Sequence, residues 1–363
     1  MGEIAVFRAI RRCSGISRVE LANITGLTSA AVSQIVRRII DAELVQETEA
    51  RHRTVGGGGR SRVGLCVGAM KMRVLGVTVR RFDVLWGLVT LAGDLEDTWQ
   101  TPLDDGRPAL EDLGHTMDTI APLVEAKKLR IMTVGVGLPT FQLAWEPREA
   151  VAQVIAERIL ATPIYLGHNG SYAALAEDWF NGANLAKHWL YVFLGVGIGG
   201  AVVRRGEGAE DPRISSVETG HVGIDSEGPP CFCGNRGCVE LTAAPLSLAH
   251  GTKLSARGGL ESLRRITAED KETAARTLSY GLMSIVNVLD LETIVIGGLD
   301  QSLIEEVYGS TRQLLREHTT PNRRPLQVGI STLGEWSSVS GAAMGAMDGI
   351  GQDVSSWRPA AIR

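Results

Sequence analysis

The chain has 363 residues, 44% of them hydrophobic and 21% charged, with a formal net charge of −4, enough for two or three domains that bury real cores. Five cysteines over this length argue against a secreted disulfide scaffold, and the opening "MGEIAVFRAIRRCSG" lacks a signal-peptide core. The longest apolar run, 189–203, is 15 glycine-broken residues and too short to cross a bilayer as a helix, so a soluble cytoplasmic protein is expected.

Charge is uneven along the chain. Residues 1–66 hold ten arginines, no lysine and six acids, whereas the remainder is net acidic. A basic segment on an acidic body suggests that this end alone meets a polyanion; the bland alternative is a merely solvated basic module. "EIAVFRAIRR" (3–12) places Ile4, Phe7, Ala9 and Ile10 near one helical face. A second helix should start at Ser17, because Glu20 stands three positions on in capping-box spacing. Gly26 breaks that helix, and Thr28 caps a third whose buried face would be Val32, Ile35, Val36 and Ile39. Helix, glycine turn and helix form a helix-turn-helix, whose last helix would enter the major groove of DNA. Ser29, Ala30, Ser33 and Gln34 would face base edges, with Gln suited to adenine, while Arg37 and Arg38 are placed for phosphates. "LVQETEARHRTVGGGGRSRVGLCV" (44–67) reads as strand, glycine-rich turn and returning strand, a wing carrying Arg60 and Arg62.

After residue 70 the pattern becomes α/β. "MRVLGVTVRRFDVLWGLVTLAGD" reads as a β-hairpin with further strand, "LRIMTVGVGLP" (129–139) as a buried strand, and "TPIYLGHNGSYAALAEDWF" as strand, loop and helix. "HWLYVFLGVGIGGAVVRRGE" (188–207) repeats the opening hairpin, and "LETIVIGGLDQSLIEEVYGS" is again strand, glycines and helix. Two hairpin starts imply two similar lobes with a cleft between them. Between the last two segments lie "ETGH" and "CFCGNRGC", holding three of the five cysteines.

The combination resembles the ROK family of sugar kinases and sugar-responsive repressors, specifically the repressor branch with an N-terminal winged helix. The resemblance covers nearly the whole chain and is most specific from Glu218 through "ETGH" and "CFCGNRGCVE" to Glu240. It implies an actin-like (ribonuclease H-like) two-lobed body after a winged helix-turn-helix. The expected domains are the DNA-binding head at 1–68, lobe 1 at 69–186 rejoined by a C-terminal helix at about 338–352, and lobe 2 at 187–337. His221, Cys231, Cys233 and Cys238 make a closed tetrahedral set that suits zinc, with reactive or merely buried thiols as the alternative. In the family that Zn2+ is structural, fixing the loop that brings Glu218 and His221 to the sugar. Cys13 and Cys66 read as core residues. Matching positions for sugar contacts are Gly137, Asn169, Glu218, His221 and Glu240, whose carboxylates and amide suit adjacent hydroxyls.

Catalysis is not expected. The family's first phosphate loop runs Asp-Ile-Gly-Gly-Thr-Lys/His, and the matching stretch is Thr78-Val79-Arg80-Arg81-Phe82-Asp83, with arginines where backbone would approach phosphate. The second loop, "LGVGIGG" (194–200), is present. Family kinases carry Asn-Asp, the Asp serving as base, where this chain has Asn169-Gly170. His168 is read as an ordinary packed histidine. The expectation is a regulator, a repressor, of carbohydrate genes: a homodimer or tetramer on a pseudo-palindromic duplex operator, answering to a sugar effector, without a membrane partner. The rivals are an ATP-dependent sugar kinase with a DNA-binding head, and a regulator controlled by a protein partner.

Overall fold

The computed structural model describes residues 2–49, 63–68, 72–80, 82–103, 109–139, 148–159, 163–182, 185–206, 212–250, 266–299, 301–318 and 325–350. The chain opens with α1 (Gly2–Arg12), the two-residue strand β1 (Ile16–Ser17), α2 (Arg18–Thr25) and α3 (Ser29–Asp41), followed by β2 (Val45–Glu49) and β3 (Val63–Val67). The Ser17 hydroxyl accepts from the Glu20 amide while the Glu20 carboxylate accepts from the Ser17 amide, so the capping box forms as its spacing predicts. Gly26, at φ 66°, ends α2 in the left-handed region, and Thr28 Oγ1 accepts the Ala31 amide at 3.2 Å to start α3. Val32, Ile35, Val36 and Ile39 are all buried. Phe7, Ala9 and Ile10 of the expected α1 face are buried and Ile4 only partly so; Val6 and Arg11 are buried as well, because α1 packs on lobe 1 in addition to α2 and α3. The three strands pair antiparallel in the order β1-β3-β2.

Two five-stranded sheets follow with one topology. In the first, β4 (Met72–Val79), β5 (Asp83–Val89) and β6 (Leu95–Pro102) form an antiparallel meander, and β7 (Arg130–Leu138) and β8 (Ile164–His168) add in parallel, in the order β6-β5-β4-β7-β8. In the second, β9 (His188–Leu194), β10 (Ile198–Arg204) and β11 (Arg213–Val217) form the meander, with β12 (Thr293–Gly298) and β13 (Gln327–Ile330) parallel, in the order β11-β10-β9-β12-β13. Helices α4 (Ala109–Ala126) and α5 (Arg148–Ala156) belong to lobe 1. Lobe 2 holds α7 (Val239–Ala243), α8 (Pro245–His250), α9 (Ala268–Leu289) and α10 (Gln301–His318).

Two helices join the parts. The inter-lobe helix α6 (Asn169–Asn181) packs against β9, β10 and β11 as well as lobe 1, and α11 (Ser337–Ile350) returns from lobe 2 to lie across β4, β7 and β8. Gly76 and Gly135 let α11 come this close, since a Cβ at either would overlap the backbone carbonyls of Val339 and Ala342. One apolar cluster runs from Val6, Phe7, Ile10 and Ile39 through Val74, Val89 and Leu91 to Met344 and Met347. The N-terminal unit is thus fused to lobe 1 through a shared core.

Candidate functional site

The "ETGH" segment leaves β11 and closes as a 3-10 turn over Thr219–His221. Backbone bonds then tie it to the cysteine loop: the Ile224 amide donates to Gly237 O and the Val239 amide to Val222 O, both at 3.0 Å. Two turns make the loop possible. Gly234 and Gly237 have φ of 91° and 57°, and a side chain at Gly237 would also run into the Asp225 carbonyl. The donor atoms of His221, Cys231, Cys233 and Cys238 all lie within 4.8 Å of one another. Cys231 Sγ is 3.5 Å from His221 Nδ1, and Cys233 Sγ is 3.6 Å from Cys238 Sγ.

Those separations discriminate. A disulfide needs sulfurs about 2.05 Å apart, whereas a tetrahedral ion with bonds of about 2.3 Å to sulfur and 2.0–2.1 Å to nitrogen spaces its ligands at about 3.5–3.8 Å. The four side chains therefore fit a metal ion. Burial, with the neighbouring Cys233 and Cys231 sulfurs after it, pushes the Cys238 thiol up to about 12. Burial also pulls the His221 imidazole down, against the Glu218 charge, leaving the neutral ring a metal prefers. The ring meets Phe232 edge-on, with centroids 5.0 Å apart.

Cys238 is also the N-cap of α7, so the same loop sets Glu240 two residues on. The Glu240 carboxylate accepts the Ile198 amide at 2.8 Å. It thereby holds the turn of "LGVGIGG", and a Cβ on Gly197 would come within 2.5 Å of it. Asn169 starts α6; its Nδ2 donates to Val79 O at 2.8 Å, its Oδ1 is buried with no partner among the described residues, and it packs against the bare Cα of Gly137. Gly170 faces β10: a Cβ there would sit 2.9 Å from Gly200 O and 3.1 Å from Gly200 N. Next to Gly200 lies Thr219, whose buried hydroxyl has no partner among the described residues and which no sequence motif singles out. Gly137, Asn169, Gly200, Thr219 and Glu240 thus line the junction of the two lobes, with Glu218 exposed beside it. His168 stands at the N-cap position of α6.

Arginine chemistry occupies the first loop. Arg80 grips Asp83 through two bonds, Nε to Oδ1 at 2.6 Å and Nη2 to Oδ2 at 2.7 Å, and reaches Glu335 at 3.0 Å; Gln100 supports Asp83 at 2.6 Å. Burial works against the Arg80 charge, and Asp83, then Glu335, more than restore it. Carboxylates take one N–H from each guanidinium nitrogen, and the side chain is 7% exposed, so it seals the hairpin from within. Arg81 lies outside the described residues.

On the N-terminal unit Ser29, Ala30, Gln34, Arg37 and Arg38 are exposed and Ser33 is half-buried, all on the side of α3 away from its core face. Arg38 is ion-paired to Glu3. Arg60 and Arg62 fall outside the described residues. Among the described residues no helix is long and apolar enough to cross a membrane.

Two lobes of one topology, bridged by α6 and α11 and carrying a His/Cys3 cluster beside their junction, define an actin-like α/β body. The ROK family profile matches residues 105–348, and the chain belongs to the ROK family. It is 26% identical over 272 residues to the DNA-binding transcriptional repressor Mlc of Escherichia coli, covering 71% of this chain and 66% of that protein. It is 25% identical over 266 residues to a glucokinase of Halalkalibacterium halodurans, covering 62% of this chain and 79% of that enzyme. Its fold matches the crystal structure of a ROK family transcriptional regulator, a homologue of the E. coli protein, with a TM-score of 0.70 at 22% identity over 98% of this chain and 96% of that one.

Proposed function

We propose that this protein is a transcriptional regulator, a repressor of carbohydrate genes, in which a winged helix-turn-helix head binds duplex DNA and a sugar or sugar derivative in the inter-lobe cleft modulates that binding. The observation that carries the reading is the capped helix α3, its apolar face wholly buried and Ser29, Ala30, Gln34 and Arg37 turned to solvent, on a unit fused by a shared core to a ROK body. Likeness to repressors supports it, and the glucokinase relative keeps the kinase alternative in view. Against the kinase stand two features of this chain. The Arg80–Asp83–Glu335 cluster fills the first phosphate loop, and the position of the catalytic base is a glycine pressed against Gly200.

The metal is zinc and its role is structural: with three thiolates and one imidazole no coordination position is left for water. It joins the Glu218–His221 turn to the start of α7, which places Glu240. In the cleft Asn169, Glu218, His221 and Glu240 serve the sugar hydroxyls, with Gly137 as the floor. A homodimer would present two α3 helices to a pseudo-palindromic operator.

The test of the sugar site is thermal unfolding of the zinc-loaded protein against hexoses, amino sugars and sugar phosphates, beside Glu218→Ala. A ligand at 100 times its Kd adds about 2.7 kcal/mol. A stabilisation lost in the variant supports the cleft. No response across the panel points to the rival regulator controlled by a protein partner.

A further inference from the structure

The carboxylate of Asp178, near the end of α6, has no exposed side-chain surface, yet it serves two partners from different parts of the molecule. Arg12, at the end of α1 in the head, reaches Oδ2 at 3.0 Å, and Arg205, just beyond β10 in lobe 2, is paired with Oδ1. Around this point the head is clamped to lobe 1. The Arg12 and Arg11 guanidinium groups lie over the Trp179 ring, 4.7 and 4.4 Å from its centroid. Arg11 Nε donates to Leu91 O at 2.6 Å, and Arg8 pairs with Asp348 of α11 at 2.6 Å.

The helix that carries Asp178 begins in the cleft. Asn169 and Gly170 form its first turn, and 13 residues at about 1.5 Å each make it a rod of about 20 Å. On its lobe-2 side Glu177, also buried, accepts the Ser331 hydroxyl at 2.6 Å. α6 therefore touches lobe 2 at both ends, through Gly170 against Gly200 and through Asp178 with Arg205. A change in lobe angle that moves β10 relative to α6 must disturb a carboxylate on which the head also depends. Sharing one buried acceptor makes the two ion pairs energetically interdependent, since removing one partner leaves the buried carboxylate under-compensated and destabilises the arrangement that holds the other.

We propose that Asp178 is the positioning residue that makes head orientation depend on lobe angle, through the relay Arg205–Asp178–Arg12. The proposal rests on the reading of the protein as a DNA-binding regulator, but the relay has a readout that needs no DNA.

The experiment uses the full-length, zinc-loaded chain and compares wild type, Arg205→Gln, Arg205→Lys, Arg12→Gln, the Arg12→Gln/Arg205→Gln double variant and Arg276→Gln. The last removes a surface ion pair to Glu272 on α9 and serves as control. Hydrogen exchange is followed by mass spectrometry. Arg205→Gln should speed exchange at least five-fold in peptides spanning residues 2–13 of the head, Arg205→Lys should largely restore protection, and Arg276→Gln should leave the head unchanged. A change from Arg205→Gln confined to residues 188–217 and α6 overturns the relay. Should Arg205→Gln fail to fold by circular dichroism, Arg12→Gln decides: faster exchange in 198–217 upholds the relay and none overturns it.

Affinity for a duplex recovered by in vitro selection with the wild-type protein gives the functional arm. Arg12→Gln and Arg205→Gln should each change it five-fold or more and Arg276→Gln should not, with the double variant no worse than the more affected single; additive effects overturn the relay. A wild-type protein that selects no duplex sinks the regulator reading, and the exchange data then judge the coupling alone.

Discussion

Gly170 stands where the family resemblance places an acid in the kinases. A Cβ there would sit 2.9 Å from Gly200 O and 3.1 Å from Gly200 N, so a side chain fits only if the backbone around it shifts. Restoring the acid with Gly170→Asp should cost about 1–3 kcal/mol by overpacking and yield no phosphoryl transfer from ATP to hexose, because Arg80 still fills the other loop. Denaturant unfolding and a coupled kinase assay check both halves; an active, equally stable variant contradicts the account. Arg11 makes the opposite kind of point. Burial pulls its guanidinium down to about 10, with Asp348 opposing. A base whose folded value lies below its unfolded one costs stability while charged; that cost is fully present below pH 10 and is relieved only as pH climbs from 10 toward 12.5. Arg11 therefore fixes where the head sits more than it strengthens the fold. Arg11→Met, which leaves Asp348 its pair with Arg8, should keep Tm within about 4 °C of wild type; a larger fall in a thermal scan would mean that the guanidinium contributes net stability.

At the scale of elements, what was legible in the sequence was what is local. The Ser17–Glu20 box, the Gly26 break, the Thr28 cap and the apolar face of α3 lie within a few residues of their partners, and all form as the spacing requires. The cysteine loop was equally readable, because Cys231, Cys233, Cys238 and the nearby His221 can converge only if the chain turns at glycines, and Gly234 and Gly237 stand there. What sequence could not give was tertiary. Arg12 and Asp178 are 166 positions apart and Arg80 and Glu335 are 255 apart, and no periodicity relates them. The same cause explains α1, whose buried face includes Val6 and Arg11 because a distant Leu91 and Asp348 lie against it. Two predictions belong here. Stripping zinc with a chelator, or Cys238→Ser, should abolish metal content by elemental analysis and lower Tm, since binding energy at a closed site is folding energy; unchanged Tm on metal loss would make the cluster ornamental. On α3, Gln34→Ala should cost about 1–3 kcal/mol at one base-pair position of a selected site, whereas Arg37→Ala should weaken all duplexes alike and reduce the salt slope by about 1. Quantitative binding across single-base variants separates these patterns.

Across the whole molecule, the design is a repeated sheet topology with helices that cross its internal boundaries. Lobes of order β6-β5-β4-β7-β8 and β11-β10-β9-β12-β13 meet through α6, α11 closes back onto lobe 1, and the head shares a core with Met344 and Met347 of that last helix. Among the described residues the head packs directly on lobe 1 through that core, which offers a shift at the cleft a short packed route to α3. A ligand can act through it only to the extent that it binds the DNA-free arrangement better than the DNA-bound one. The measurement that bears most directly on the account is in vitro selection from a random duplex library with the full-length protein at physiological salt, followed by affinity measurement with Gln34→Ala. The account predicts enrichment of a two-half-site pseudo-palindrome, bound at least 10³-fold more tightly than random duplex and read less selectively by the variant. Recovery of no sequence above the random background, or a selected site indifferent to Gln34, would contradict it.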